Sequence, residues 1–170
     1  MNKITFCIPS KNNLRYLKNS IHSIKKNSSQ NHDIIVYIDA DNDGTEQWLK
    51  ENNITFIKNE TKIPKGIATG YNECIKKSQT DIVCMFHADM YMGKGFDIGL
   101  LKYLEPKSVI SATRIEPPLH PEGKEKIIKD FGLDFDTLNI VEFELYATQA
   151  QKEFKDQTTK GMFAPWVLYK

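Results

Sequence analysis

His87 and Asp89 stand two residues apart at the end of the apolar run Asp81-Ile82-Val83-Cys84-Met85-Phe86. If that run is a strand that continues through them, both side chains point to one face. An imidazole and a carboxylate placed so can hold a divalent ion against a diphosphate. The imidazole favours Mn2+ over Mg2+, which prefers an all-oxygen shell. A second cluster, Asp39-Ala40-Asp41-Asn42-Asp43-Gly44, follows the run Ile34-Ile35-Val36-Tyr37-Ile38. Its carboxylates can accept hydrogen bonds from a base or a ribose, or bind a cation. A third, Pro9-Ser10-Lys11-Asn12-Asn13, follows Ile4-Thr5-Phe6-Cys7-Ile8. Each cluster taken alone also reads as a solvated loop, His87 as a hydrogen-bonded rim histidine, and Asp89 as the cap of a turn or helix.

The three clusters gain meaning from the elements before them. Ile4–Ile8, Ile34–Ile38, Ile54–Ile57 and Asp81–Phe86 are short β-rich apolar runs bounded by polar or turn residues, and Pro9 stops the first. Between them, Leu14, Leu17, Ile21 and Ile24 recur at helical spacing, with Asn12 or Asn13 able to cap that helix. Thr45 to Glu51 predicts a short helix. Gly66 opens another, with Ile67, Tyr71, Cys74 and Ile75 on one face. Phe96 to Leu104 predicts a helix and Ser108 to Ala112 a fifth strand. Alternating strands and helices predict an α/β fold, a mostly parallel Rossmann-like sheet flanked by helices on both faces. Ligands of such sheets bind at the carboxyl ends of the strands, where all three polar clusters fall.

After Arg114 the pattern changes. Pro117, Pro118 and Pro121 predict a loop, Glu122 to Phe131 a short helix, and Asn139 to Lys155 either helix or strand. Gly161 to Tyr169 is apolar and aromatic and reads as a strand. A domain ending on such a strand leads us to expect further residues beyond Lys170.

The composition narrows the function. The chain has 170 residues, enough for one domain with a sizeable core. Lys and Arg total 23 against 22 Asp and Glu, which argues against a dedicated nucleic-acid binder. No apolar run approaches the roughly 20 residues of a transmembrane helix, and the opening stretch Ile4 to Pro9 is too short for a signal-peptide core and lacks a cleavage site. Cys7, Cys74 and Cys84 are odd in number and widely spaced, so they read as buried reduced thiols, which suits a cytoplasmic location.

The Asp-rich loop has rival readings. Asp39-x-Asp41-x-Asp43-Gly44 begins like a calcium-binding EF-hand, but Lys50 stands where the bidentate Glu is needed, and a strand precedes the loop. It also approaches the nucleophile loop of haloacid-dehalogenase-like phosphatases, but Asn42-Asp43 is inserted before Gly44-Thr45. A base- and ribose-binding loop remains.

In their order, these residues resemble family 2 glycosyltransferases of the GT-A fold. The resemblance rests on Ile8-Pro9-Ser10-Lys11-Asn12 for an "IPxYN" turn, and on Tyr16-Leu17, Ile21, Ser23 and Ile24 for the helix after it. Asp39 to Thr45 stands for "DDGSTDGT", Gly70 to Ile75 for "ARNxGI", and His87-Ala88-Asp89 for the DxD-type metal motif. It covers about Lys3 to Phe96 well and the rest loosely. It implies a single GT-A domain over 1–170 that lacks its C-terminal part, with a nucleotide-binding half at 1–113 and an acceptor side at 114–170. It implies a nucleotide-diphospho-sugar donor, a carbohydrate or lipid-linked acceptor, and metal-dependent, inverting transfer. Pro9, Ser10, Lys11, Asp39, Asp41, Gly66, Asn72 and Ala88 would line the donor pocket. Asp89, with His87, would bind the metal, and Trp166 would shape the acceptor site.

Two residues depart from the family pattern: Tyr71 stands where Arg is frequent, and His87 replaces the first Asp of the metal motif. The downstream acidic pair that supplies the catalytic base does not appear before Lys170. Glu116, Asp136, Glu142 and Glu144 are local substitutes among which the sequence does not choose. Two other classes compete: a catalytically incomplete nucleotide-sugar-binding module, and a nucleotidyltransferase, which would want a glycine-rich phosphate loop where Pro9 to Asn13 has no glycine.

Overall fold

Alternation along the first strand sets up two cores. In β1 (Ile4–Ser10), Ile4, Phe6 and Ile8 belong to one apolar cluster and Cys7 to another on the opposite face. The structure is a computed structural model and describes residues 2–119, 126–159 and 163–170. Chain order continues with α1 (Leu14–Asn27), β2 (Asp33–Ile38), α2 (Thr45–Glu51), β3 (Thr55–Lys58), α3 (Ile67–Lys77), β4 (Ile82–Met85), α4 (Phe96–Tyr103) and β5 (Val109–Ser111). Then come β6 (Arg114–Glu116), β7 (Lys126–Ile128), α5 (Ile140–Glu153) and β8 (Trp166–Tyr169).

Six strands form one sheet in the order β3-β2-β1-β4-β8-β5, and β6 pairs with β7 in a separate parallel ribbon. β3, β2, β1 and β4 are mutually parallel, while β8 runs antiparallel to both its neighbours. The mostly parallel α/β sheet expected from the alternation is therefore present. Leu17, Ile21 and Ile24 of α1, Leu49 of α2 and Leu100 of α4 pack on the Phe6 face. Tyr71 and Cys74 of α3 pack on the Cys7 face with Ile35, Tyr37 and Val83. All three cysteines are buried and free. Among the described residues no helix is long and apolar enough to cross a membrane.

Several boundaries differ from expectation for local reasons. Pro9 does not stop β1; the strand runs on to Ser10, pairing Pro9 with Tyr37 of β2. Its missing N–H shows on the other side. The Cys7 carbonyl accepts from Phe86 N at 3.0 Å, so the next amide facing β4 would be that of residue 9. Proline has none, and the β1–β4 ladder ends at Cys7–Met85. Neither Asn12 nor Asn13 caps α1 with its side chain. Ile67 does not share the buried face of α3; it is exposed, and Gly70, Tyr71 and Cys74 carry the contact. Asn139 to Lys155 resolves as helix, and the Asn139 side chain caps it by accepting from Glu142 N. Of the helix expected over 122–131, residues 126–128 form β7 instead, because Lys126, Ile127 and Ile128 pair with Arg114, Ile115 and Glu116. Pro121 and residues 122–125 lie outside the described residues.

Candidate functional site

Three loops leave the carboxyl ends of β1, β2 and β4, which are neighbours in the sheet, and two of them are locked to each other. Asn12 N donates to Asp41 Oδ1, Asn42 N donates to Asn12 Oδ1 at 3.0 Å, and Leu14 N donates to Asp43 Oδ2 at 2.8 Å. Asp43 also accepts from Thr45 N and Oγ1 at 3.1 and 2.7 Å. Burial raises the Asp43 carboxyl, but these donors outweigh it and hold the group below its ordinary value. Asp43 is thus a cap and a tie between loops. Asp41 goes the other way: burial and the neighbouring Asp43 charge push it up despite the Asn12 bond. Its Oδ2 is buried with no partner.

Asp39 is the most constrained carboxylate of the rim, only 5% exposed. It accepts from Asn59 Nδ2 at 2.8 Å, from Lys65 N at 2.9 and 3.1 Å, and from Gly66 N at 2.8 Å. Burial alone would raise it. The two amides, the Asn59 side chain and the Lys11 charge reverse that and hold it ionised, below the usual carboxylate value. Each carboxylate oxygen thus accepts two hydrogen bonds, the Lys65 N–H being shared between them. Gly66 needs its own residue type because its φ is +83°, although a Cβ there would meet only open space. Four residues on, Gly70 does the opposite job. A Cβ there would lie 2.8 and 2.9 Å from the Pro9 ring and 3.0 Å from Tyr37, so only glycine lets α3 approach β1 this closely.

Ser10 is buried and its hydroxyl has no partner; Lys11 beside it is exposed. Asn72 is exposed on α3, and among the described residues no hydrogen bond joins it to the other candidates.

β4 stops at Met85, two residues short of His87, so the strand does not carry His87 and Asp89 on one face as expected; Ala88 and Asp89 lie in a turn. His87 is half-buried and its ring stacks on Tyr71, with centroids 6.5 Å apart and planes at 27°. Asp89 is exposed and Ala88 is buried. The turn is held from behind by α1. Ser20 Oγ lies 2.7 Å from Ala88 O and 2.6 Å from Met90 O, Met92 N donates to Ser23 Oγ at 3.0 Å, and Asn27 Nδ2 donates to Met92 O at 2.6 Å. A donor set of one imidazole and one carboxylate fits a divalent ion whose remaining positions are filled by water and diphosphate oxygens. Among the described residues no group of three or more His, Cys, Asp or Glu gathers to hold a metal by itself.

Trp166 opens β8 and pairs with Met85, at the same rim. Its Nε1 is buried without a partner. Of the four candidate bases, three have their carboxylates held by ion pairs or hydrogen bonds within the chain. Asp136 pairs with Arg15, and Glu142 caps α5 with Asn139. Glu144 binds Lys26 at 2.8 Å, Asn27 at 3.2 Å and Tyr91 at 2.5 Å, and these partners outweigh burial to lower its carboxyl. Glu116 binds Arg114 but keeps Oε2 without a hydrogen bond.

Sequence reasoning missed Asn59, Tyr71 as a contact of His87, and the row Ser20, Ser23 and Asn27. The row had a signal: short polar residues interleaved with Leu17, Ile21 and Ile24 on the buried face of one helix. Asn59 had none, because its partner is 20 residues away.

The model of glycosyl transferase family 2 matches residues 5–163. Comparison with the curated proteins gives no match. Among solved structures, residues 1–349 of S. aureus TarS superpose with a TM-score of 0.59 at 17% identity, over 71% of this chain and 38% of that one. The same protein is also solved with UDP and with UDP-GlcNAc. The mannosyltransferase PcManGT from Pyrobaculum calidifontis, in complex with GDP-Man and Mn2+, gives 0.57 at 16%, over 66% and 36%. Glucosyl-3-phosphoglycerate synthase from Mycobacterium tuberculosis, in complex with UDP, gives 0.58 at 13%, over 99% and 57%. The chain therefore spans less than two thirds of each of these structures. The fold they share with it is GT-A.

Proposed function

We propose, since the chain belongs to glycosyl transferase family 2, that it binds a nucleotide-diphospho-sugar at the carboxyl rim of β1, β2 and β4 and moves the sugar to an acceptor hydroxyl with inversion. One observation carries this reading. Six buried side-chain atoms lack a hydrogen-bond partner among the described residues: Ser10 Oγ, Asp41 Oδ2, Tyr71 OH, Arg114 Nε, Glu116 Oε2 and Trp166 Nε1. Each such atom costs about 1–3 kcal/mol. Ser10 and Asp41 end β1 or follow β2, Tyr71 contacts His87, and Trp166 pairs beside β4. A polar donor at this rim would satisfy Ser10, Asp41 and Tyr71 together and leave the Trp166 indole to the acceptor.

In this reading, Asp39 meets the base, and Asp41 Oδ2 accepts from the ribose or base. Pro9, Ser10 and Lys11 flank the nucleotide; the break in the β1–β4 ladder after Cys7 makes room for it. Gly66 and Asn72 border it from α3. Ala88 is held by Ser20 so that Asp89 projects outward. His87 and Asp89 would hold a divalent cation, Mn2+ before Mg2+, which when bound offsets the negative charge of the leaving diphosphate. Residues 1–113 serve the donor and residues 114–170 the acceptor, with Trp166 shaping the acceptor side. The acceptor is a carbohydrate or a lipid-linked sugar.

A second reading has support of its own. Three of the four candidate bases already have intrachain partners, and a positioned base typically contributes about 10²–10⁴-fold to such a reaction. A chain without one would bind donor and turn it over poorly.

The test is calorimetry of the full chain with UDP- and GDP-sugars, first with Mn2+ and then with EDTA. Metal-dependent binding of one nucleotide class with sugar release supports the transferase. Binding without release supports the incomplete module. No binding under either condition overturns both.

A further inference from the structure

The β6–β7 ribbon carries two cations and one carboxylate on one face. Arg114 and Lys126 are register partners, and Glu116 lies two residues after Arg114. Arg114 Nη1 sits 2.9 Å from Glu116 Oε1, and Lys126 Nζ sits 3.5 Å from Glu116 Oε2. The longer contact is electrostatic and makes no hydrogen bond, since Oε2 has no partner. All three side chains are largely withdrawn from water: Arg114 is 23% exposed, Glu116 18% and Lys126 7%. Like charges placed directly opposite on a sheet repel. Among the described residues one carboxylate faces both cations, which leaves one positive charge without a counter-ion of its own in a poorly solvated place.

The donors around that charge are unused. Arg114 Nε is buried without an acceptor, while the guanidinium is fixed by the Phe163 ring, 4.5 Å from its centroid. Trp166, three residues after Phe163, keeps an unpartnered indole N–H. Trp166 pairs with Ser111, three residues before Arg114, so ribbon and indole flank the same strand ends. The cluster lies on a ribbon separate from the main sheet, whereas the donor candidates come from β1, β2, α3 and the turn after β4.

We infer that Arg114 and Lys126, with the Trp166 indole beside them, form a subsite for an oxyanion carried by the acceptor, a phosphate or a carboxylate. This rests on the transferase reading above and narrows it: the acceptor is anionic. The subsite binds the charged group and leaves the acceptor hydroxyl to reach the donor side of the rim. Glu116 holds the two cations in place and keeps the empty site from carrying a double charge.

The experiment is an NMR titration of the full 15N-labelled chain with inorganic phosphate at constant ionic strength, balanced by NaCl, with acetate in a parallel arm. The expected result is a saturable shift of the Trp166 indole and Arg114 Nε–H signals. Affinity should fall at least ten-fold in Lys126→Gln and persist in Lys126→Arg, and the stronger of the two probes names the group. No saturable shift at these signals in the unsubstituted chain overturns the proposal, whether or not the variants fold. So does equal affinity in a folded Lys126→Gln, or shifts confined to residues 9–11 and 87–89. A UDP and GDP titration separates the two readings. Nucleotide binding with a silent ribbon sinks the subsite alone. Phosphate at the ribbon without nucleotide binding sinks the donor reading and leaves an oxyanion site.

Discussion

The carboxylate of Asp43 accepts a 2.8 Å hydrogen bond from the backbone N–H of Leu14, so α1 is capped by the loop after β2 rather than by a residue beside its own first turn. That bond fixes the two loops that frame the candidate nucleotide pocket as one unit.

Removing it should cost stability. Asp43→Ala loses the cap and both Thr45 bonds and should destabilise the fold by about 1–2 kcal/mol at pH 7, read by urea denaturation. The carboxyl is depressed in the folded chain from an ordinary value of 3.8. Its contribution is therefore complete above that value and is lost as pH falls through the lowered one. The stability gap between Asp43→Ala and the parent should close in that acid window; a gap independent of pH would contradict the assignment.

Asp39→Asn tests the donor pocket. An amide in place of the carboxylate sets its own N–H group against the amides of Lys65 and Gly66. Nucleotide affinity should fall at least ten-fold, roughly 1.4 kcal/mol, by calorimetry. Unchanged affinity would remove Asp39 from the pocket.

Asp89→Ala separates cation from pocket. Because Asp89 is exposed in a turn, the fold should survive the change, with an unaltered melting curve. The Mn2+-dependent part of nucleotide binding should vanish, and the EDTA-resistant part should remain. Full Mn2+ dependence in the variant would place the ion elsewhere.

Ser20→Ala acts on the same turn from behind. It strips the buried carbonyl of Ala88 of its side-chain donor, at a cost of about 1–3 kcal/mol in denaturant. Nucleotide affinity should drop as well, although Ser20 belongs to a helix on the far side of the turn. A loss of stability with no loss of affinity would show that turn placement does not matter to the ligand.

Gly70→Ala tests how tightly α3 is seated. A Cβ 2.8 Å from the Pro9 ring forces the helix or the strand end to shift. Overpacking of this kind costs about 1–3 kcal/mol, and the circular dichroism melt should move down accordingly.

The parallel sheet was legible because the apolar runs at Ile4, Ile34 and Asp81 each end in a polar cluster, and β-rich runs alternate with helical spacing. The rim position of Asp39 and Asp89 followed from that pattern. What was not legible depends on pairing across long separations. Pro9 reads as a strand end, yet its lost amide matters on only one side of β1. His87 and Asp89 read as one strand face, but a turn intervenes because β4 loses its partner at Cys7. Lys126 to Ile128 is too short to announce a strand, and only its register with Arg114 to Glu116 makes it one. The Asn139 to Lys155 stretch has weak periodicity, so its cap, not its apolar pattern, defines the helix.

The position of β8 has a consequence in time. β8, made after the other seven described strands, lies inside the sheet, between β4 and β5. β3, β2, β1 and β4 can pair as soon as they are made, but within the sheet β5 joins only through β8. These four strands can thus form early in synthesis, as domains forming from the N-terminus do, while the joining of β5 to the sheet waits for residues 166–169. A chain interrupted before Trp166 would keep its first four strands and leave one edge of β4 bare, open to pairing with another chain.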